Sequence, residues 1–255
     1  MAGAGEREGI LAKDGRDGKG ASLAVILAGG AGRRMGGADK AAIRLAGRPL
    51  LSHVMARLGP QVAAMVLSAN GDPGRFAAFG LPVLTDPLPD RPGPLAGILA
   101  ALGWAQERWP EIADLLVVPV DTPFLPGDLR ARLDAARRAA GRLMAIAASA
   151  GRPHPTVALL PVDPALADDL AARLARGERR VGDFFARHQA AIADYGRPFP
   201  DPFRNLNTPA DLAAAEAALD RPDAGDPMPA RGQTERPHEK PFAETDSRDK
   251  PWRRE

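Results

Sequence analysis

The residues best placed to do chemistry crowd into one early stretch. "LAGGAGRRMGGADK" (Leu27–Lys40) holds five glycines, two arginines and one lysine in fourteen positions, directly after an apolar run. Glycine permits positive φ and close approach, so such a loop can turn backbone N–H groups toward phosphate oxygens. The plain alternative is a Gly-rich surface turn. Lys40 stands out by rarity: between residues 20 and 239 every other long basic side chain is arginine. A residue type the composition avoids, kept at one position, points to a chemical reason.

Other polar groups collect at the ends of apolar runs. "VVPVDTPFL" puts Asp121 where a carboxylate suits Mg²⁺, which takes one or two protein carboxylates and fills its octahedron with water and phosphate. The competing role is a helix N-cap ahead of Pro126–Ala140. "LTDPLPDRPGPLAGI" supplies Asp86, Gly93 and Gly97. Gly93-Pro94 opens a helix whose free N–H groups could meet a base or ribose oxygen. Asp86 could accept the paired N1–H and N2–H₂ donors of guanine, or be a turn aspartate before Pro87. "VLSANGD" offers Ser68 and Asn70, and "NLNTP" offers Asn205 and Asn207, each also readable as turn-forming.

The elements that must position these groups follow from periodicity. "LAVILA" (23–28), "VAAMVLSA" (62–69), "DLLVVPV" (114–120) and "LMAIAAS" (143–149) read as strands buried on both faces. Helical spacing marks Pro94–Trp109, Pro126–Ala140 and Thr208–Asp220, the last with Thr208 as N-cap and Pro209 as first helical residue. "TVALLP" (156–161) and "AAIADY" (190–195) add strands of mixed direction. The alternation predicts a three-layer α/β domain over 21–219 with a mostly parallel central sheet, ligands lying beyond the carboxyl ends of its strands. Residues 1–20 and 220–255 are rich in Gly, Pro and charge and read as disordered tails.

With 255 residues and 45% hydrophobic content the chain can bury one sizeable core. A net charge of +2 and 5% aromatics do not describe a nucleic-acid surface. The absence of cysteine excludes a disulfide scaffold, a thiolate nucleophile and Cys-type zinc sites. No stretch reads as a signal peptide or a membrane span, so a soluble, cytoplasmic protein is expected.

Three loop designs fail and one fits. A P-loop needs G-K-[ST], whereas Lys40 stands between Asp39 and Ala41. A dinucleotide fingerprint fails by one residue, since Gly30-x-Gly32-x-x leads to Met35. Kinase catalytic-loop motifs are absent. "LAGGAGRRMGGADK" instead resembles the signature loop of nucleotidyltransferases that activate sugar phosphates and pterin cofactors. Nucleotidyl transfer expels pyrophosphate, so cations near the loop favour the transition state. In that light Arg34 grips phosphate oxygens with its planar fork, and Lys40 is a compact charge for the α-phosphate or attacking group.

Together with "GRPLLSHV", "LSAN", "DPLPDRPGPLAGI", "PVDTPFLP", "HPTVALLP", "GERRVGDFF" and "NLNTPADL", the core is similar to the molybdenum cofactor guanylyltransferases. The resemblance implies transfer of GMP from GTP to the phosphate of Mo-molybdopterin, with Mg²⁺ as cofactor. It implies GTP contacts at Leu27, Ala28, Gly29, Gly30, Lys40, Asp86 and Asp121, with Asp121 also the metal ligand. Some relatives have asparagine at position 68, leaving open whether Ser68 or Asn70 meets the nucleotide. His154, Arg179, Arg180, Asn205 and Asn207 match the acceptor side, with Arg180 as phosphate anchor or a plain exposed arginine. A monomer is expected, with transient contacts to cofactor-insertion proteins or apo-molybdoenzymes, no nucleic acid and no membrane. The alternatives are a cytidylyl- or sugar-phosphate nucleotidyltransferase of the same fold, or a non-catalytic nucleotide-binding partner protein.

Overall fold

A computed structural model describes residues 21–29, 40–86, 93–198 and 200–219. The expected tails, and with them Gly30 and Arg34, lie outside the described residues. The first half runs β1 (Ala21–Leu27), a 3₁₀ turn (Lys40–Ala42), β2 (Arg44–Leu45), β3 (Arg48–Pro49), α1 (Leu50–Leu58), β4 (Ala64–Ser68), β5 (Val83–Leu84) and α2 (Pro94–Arg108). The second runs β6 (Ile112–Pro119), α3 (Leu129–Ala139), β7 (Ala145–Ser149), β8 (Arg152–Pro161), α4 (Pro164–Ala175), α5 (Val181–Arg187), β9 (Ala191–Asp194) and α6 (Pro209–Leu219).

Seven strands form one sheet in the order β5-β4-β1-β6-β8-β7-β9. Pairing is parallel from β5 through β6 and between β7 and β9, while β8 runs antiparallel to both neighbours. The reversal has a local cause. Only Ala150 and Gly151 separate β7 from β8, both with positive φ (50° and 75°), the backbone that a two-residue hairpin requires. "TVALLP" is therefore the antiparallel strand, and "AAIADY" returns parallel to β7.

Period-two alternation in the central strands feeds two cores. Leu23, Val25 and Leu27 of β1 pack with Leu95, Ile98 and Leu102 of α2, and that core continues to Leu170 of α4 and Phe184 of α5. Ala24 and Ile26 point the other way, into a core with Leu51 and Val54 of α1 and Leu129 and Leu133 of α3. Burying each such aliphatic side chain stabilises the fold by roughly 1.5–3 kcal/mol. The result is the three-layer α/β arrangement expected. A small third cluster, Leu45, Leu50, Leu206 and Ala215, fastens the β2–β3 hairpin and α6 to each other.

Gly97 has a packing role. A Cβ there would lie 2.3 Å from Ser68 Oγ and 2.8 Å from a methyl of Leu27, so α2 rests directly on the carboxyl ends of β4 and β1. The helix expected over Pro126–Ala140 starts later, at Leu129 with Asp128 at its N-cap. Asp121 is thus not the cap of that helix, which removes the structural alternative for it.

Candidate functional site

The carboxyl ends of the parallel strands are locked to one another by backbone bonds. Ala28 N donates to Ser68 O (2.8 Å), Val120 N to Leu27 O (3.0 Å) and Ala69 N to Leu84 O (3.0 Å). Each strand delivers its polar residue just beyond that edge: Ala28 and Gly29 after β1, Asn70 after β4, Asp86 after β5 and Asp121 after β6.

At the centre is an ion pair. Lys40 Nζ donates to Asp121 Oδ2 at 2.7 Å and also to Asn207 Oδ1. Three segments far apart in sequence meet there. Lys40 opens the 3₁₀ turn anchored by buried Ala41, and Asp121 caps the tip of β6. Asn207 is brought in by Leu206, whose N–H donates to the Asp121 carbonyl (2.9 Å). The Lys40 side chain keeps 22% of its exposure whereas that of Asp121 keeps 8%. Asp121 Oδ1 is buried and has no hydrogen-bond partner among the described residues. An unmade bond on a buried carboxylate oxygen costs on the order of 1–3 kcal/mol. Its retention is what a site for a hard cation requires. Among the described residues no cluster of three or more His, Asp or Glu could form a cage, so a cation here would draw its other oxygens from phosphate and water.

Asn70 and Asp86 form a reciprocal pair. Asn70 Nδ2 donates to Asp86 Oδ2 (2.5 Å), and the backbone N–H of Asp86 donates to Asn70 Oδ1 (3.1 Å). Both polar atoms of the Asn70 amide are thus engaged in fixing Asp86, whose other carboxylate oxygen is left uncommitted among the described residues. Ser68 is buried (3% exposed) beneath Gly97. Asn70 is less buried than Ser68 and is bonded to Asp86. The start of α2 lies close by, with Gly93 as an N-cap that makes no side-chain hydrogen bond.

The second half contributes a cavity of about 260 Å³, whose lining includes Leu95 in the first turn of α2 together with Arg173, Arg179, Arg180 and Asp183. Buried Arg173 fixes the turn before α5, donating from Nε to Asp169 (2.7 Å) and from Nη1 to Glu178 (2.8 Å). Arg179 and Arg180 are exposed and have no carboxylate partner among the described residues. Asn205 is exposed as well, and no bond ties it to the Lys40 group.

The "NLNTP" segment is held by a reciprocal cap on α6. Thr208 Oγ1 accepts from Asp211 N (3.1 Å), and Asp211 Oδ2 accepts from Thr208 N (3.0 Å) and Asn207 N (3.2 Å). The Arg204 guanidinium, then Thr208, bring the Asp211 carboxyl down to about 2. A depressed carboxyl stabilises the fold above its ordinary range near 3.8 and loses that contribution as pH falls through about 2. Asp211→Asn should therefore be less stable than the parent at neutral pH. Urea melts should show the gap closing between about pH 4 and pH 2; a gap unchanged across that window would sink the ionic account of the cap.

A family model, the MobA-like NTP transferase domain, matches residues 24–192. Molybdenum cofactor guanylyltransferase of Cereibacter sphaeroides is 56% identical over 201 residues, which is 78% of this chain and 97% of that protein. The chain belongs to this guanylyltransferase family. A second member, from Rhodopseudomonas palustris (strain BisB5), is 51% identical over 77% of this chain and 93% of its own. The crystal structure of molybdopterin-guanine dinucleotide biosynthesis protein A from Archaeoglobus fulgidus superposes with a TM-score of 0.57 at 25% identity, covering 77% of this chain and 97% of that one. Family membership makes the chain an enzyme, a nucleotidyltransferase. A 4-diphosphocytidyl-2C-methyl-D-erythritol synthase from Anaerococcus prevotii, at TM-score 0.61 but 13% identity over 79% of this chain and 96% of that one, shares the fold. Among the described residues no helix is long and apolar enough to cross a membrane.

Proposed function

We propose that the chain transfers GMP from GTP to the terminal phosphate of Mo-molybdopterin, releasing pyrophosphate. A single domain over residues 21–219 carries the activity, working in the cytoplasm. The observation that carries this reading is the pair between Lys40 of the 3₁₀ turn and Asp121 beyond the end of β6, with an Asp121 oxygen beside it that is unpaired among the described residues.

An oxygen of the acceptor phosphate attacks the α-phosphorus of GTP. A new P–O bond forms there as the bond to the β-phosphate oxygen breaks, and the electron pair leaves with pyrophosphate. Lys40 keeps its bonds to Asp121 and Asn207 and gives its third N–H to a phosphate oxygen, placing a point charge where negative charge grows. Arg34 serves the departing phosphates from the glycine loop, with Leu27, Ala28, Gly29 and Gly30 supplying backbone close to the nucleotide. Asp86, held by Asn70, accepts from the guanine edge, and the Gly93 end of α2 lies beside the base or ribose. Arg180, Asn205 and Asn207 receive the acceptor. Asp121 would hold Mg²⁺, which when bound neutralises phosphate charge and orients the oxygens for in-line displacement.

The direct test is incubation with GTP, Mg²⁺ and molybdopterin carrying molybdenum, followed by detection of the guanine dinucleotide and pyrophosphate. Thermal shifts with GTP, CTP, UTP and ATP accompany it. GTP at a hundred times its Kd should stabilise by about 2.7 kcal/mol. Preference for CTP, or no dinucleotide product, would overturn the assignment.

A further inference from the structure

We propose that His53 is a positioning residue for nucleotidyl transfer: from α1 its ring grips the Leu45 carbonyl and so sets the turn that presents Lys40 to Asp121 and Asn207. The inference rests on the reading above that Lys40 serves the phosphates at the reacting centre.

His53 belongs to "GRPLLSHV", a stretch to which the site as described gives no role. It is 1% exposed, within α1. Its Nε2 lies 2.9 Å from the carbonyl oxygen of Leu45 in β2, while Nδ1 is buried and makes no hydrogen bond among the described residues. A carbonyl only accepts, so Nε2 carries the N–H and donates. Burial lowers the pKa of His53 against the Leu45 carbonyl, and the charges of Arg48 and Arg57 act with burial. The neutral ring then holds its lone pair on Nδ1. Burying that unmet lone pair is unfavourable, and an apolar side chain would avoid it. The Nε2 bond is what histidine adds at this position.

The bond falls where the backbone needs a hold. β2 and β3 have two residues each, joined by Ala46 and Gly47 at positive φ (48° and 78°), and so short a pair is not stable by itself. Polar contacts fasten it to its surroundings: His53 to Leu45 O, Leu50 N to Ile43 O (2.8 Å), and Ala46 N to Glu216 Oε1 of α6 (3.0 Å). The first two come from α1, whose Leu51 and Val54 are seated in the core against the sheet. The Leu45 side chain packs in the small cluster that holds Leu206. Leu206 N binds the Asp121 carbonyl, and its neighbour Asn207 accepts from Lys40. Lys40 itself stands five residues before Leu45 in the chain. Leu45 is thereby tied to all three members of the reacting centre, and His53 ties Leu45 to the rigid core.

His53→Leu removes the bond with an apolar side chain, whereas His53→Gln keeps an N–H at the ε position. Each is made in the parent and in a Lys40→Met background. Rates are measured with labelled GTP, Mg²⁺ and Mo-molybdopterin below the onset of thermal unfolding. His53→Leu should lower kcat about tenfold, the loss of one hydrogen bond, with the GTP KM within about twofold of the parent. His53→Gln should bring kcat back to within about threefold of the parent. In the Lys40→Met background His53→Leu should cost less than about twofold, because the bond acts through a lysine that is gone. A histidine that merely supports the fold would cost the same factor in both backgrounds, and that result overturns the inference. Parental kcat in His53→Leu, or no recovery in His53→Gln, overturns it too. Where His53→Leu does not fold, His53→Asn, whose amide is one carbon short of Leu45 O, takes its place in the cycle. If neither folds, His53 is a residue of the fold alone and the inference fails. A parent that makes no dinucleotide overturns the functional reading and this inference with it; an active parent with equal losses in both backgrounds sinks this inference alone.

Discussion

Asp121→Asn should lower kcat by on the order of 10²–10³-fold or more while leaving the melting temperature within a few degrees of the parent. The expectation comes from what the carboxylate does and does not support. Its fold-holding contact is made by the backbone, Leu206 N to Asp121 O, and survives the substitution. The side chain is buried, one oxygen pairs with Lys40, and the other has no partner among the described residues. Asparagine fills the same volume and can still offer its oxygen to Lys40, which retains its bond to Asn207. What disappears is the negative charge that would hold a divalent cation against the phosphates. Rates should be measured across a Mg²⁺ titration at saturating GTP, beside a thermal melt. A variant turning over at the parental rate removes the metal assignment. A melting point lowered by more than 10 °C would make Asp121 a structural residue.

The parts of this site that could be read in advance were those announced by a local pattern. Apolar runs ending in Gly29, Asn70 and Asp121 mark strand tips, because a buried parallel strand must be apolar throughout and its first polar residue lies where the sheet ends; the two-residue β5 ahead of Asp86 gave no such run. The start of α2 at Gly93-Pro94 and the Thr208 cap of α6 were legible for the same reason: helix termini have unmet N–H groups and use a short list of residues to meet or avoid them. The pairing of those tips was not legible. Lys40 meets Asn207 across 167 residues and Asp121 across 81, and nothing local ties them. Gly97 is placed with the nucleotide by its neighbourhood, and the close contact of α2 with β4, which requires a glycine there, could not be read from that neighbourhood. The β2–β3 pair is two residues a side, too short for any periodicity, and α4 hides in a region where alanine blurs the apolar stripe.

Lys40→Arg should be nearly as damaging as loss of the carboxylate, on the order of 10²-fold in kcat, although it conserves charge. The ammonium of Lys40 has three donors, and two are committed, to Asp121 and to Asn207. The third is left for an incoming phosphate oxygen, and the 22% of the side chain that remains exposed gives that oxygen access. A guanidinium spreads its charge over a plane and directs its donors as a fork. It can pair with Asp121, so the fold should hold and GTP should still bind. It cannot set a single compact charge between a carboxylate, an amide oxygen and a phosphate that approach from different directions. The expected signature is a loss in kcat with the GTP KM changed less than tenfold, the pattern of an interaction made chiefly in the transition state. Rapid-quench measurement of the first turnover would locate the loss in the chemical step. Parental turnover in Lys40→Arg would mean that any cation suffices at this position, and that the single lysine in an arginine-rich core has no catalytic cause.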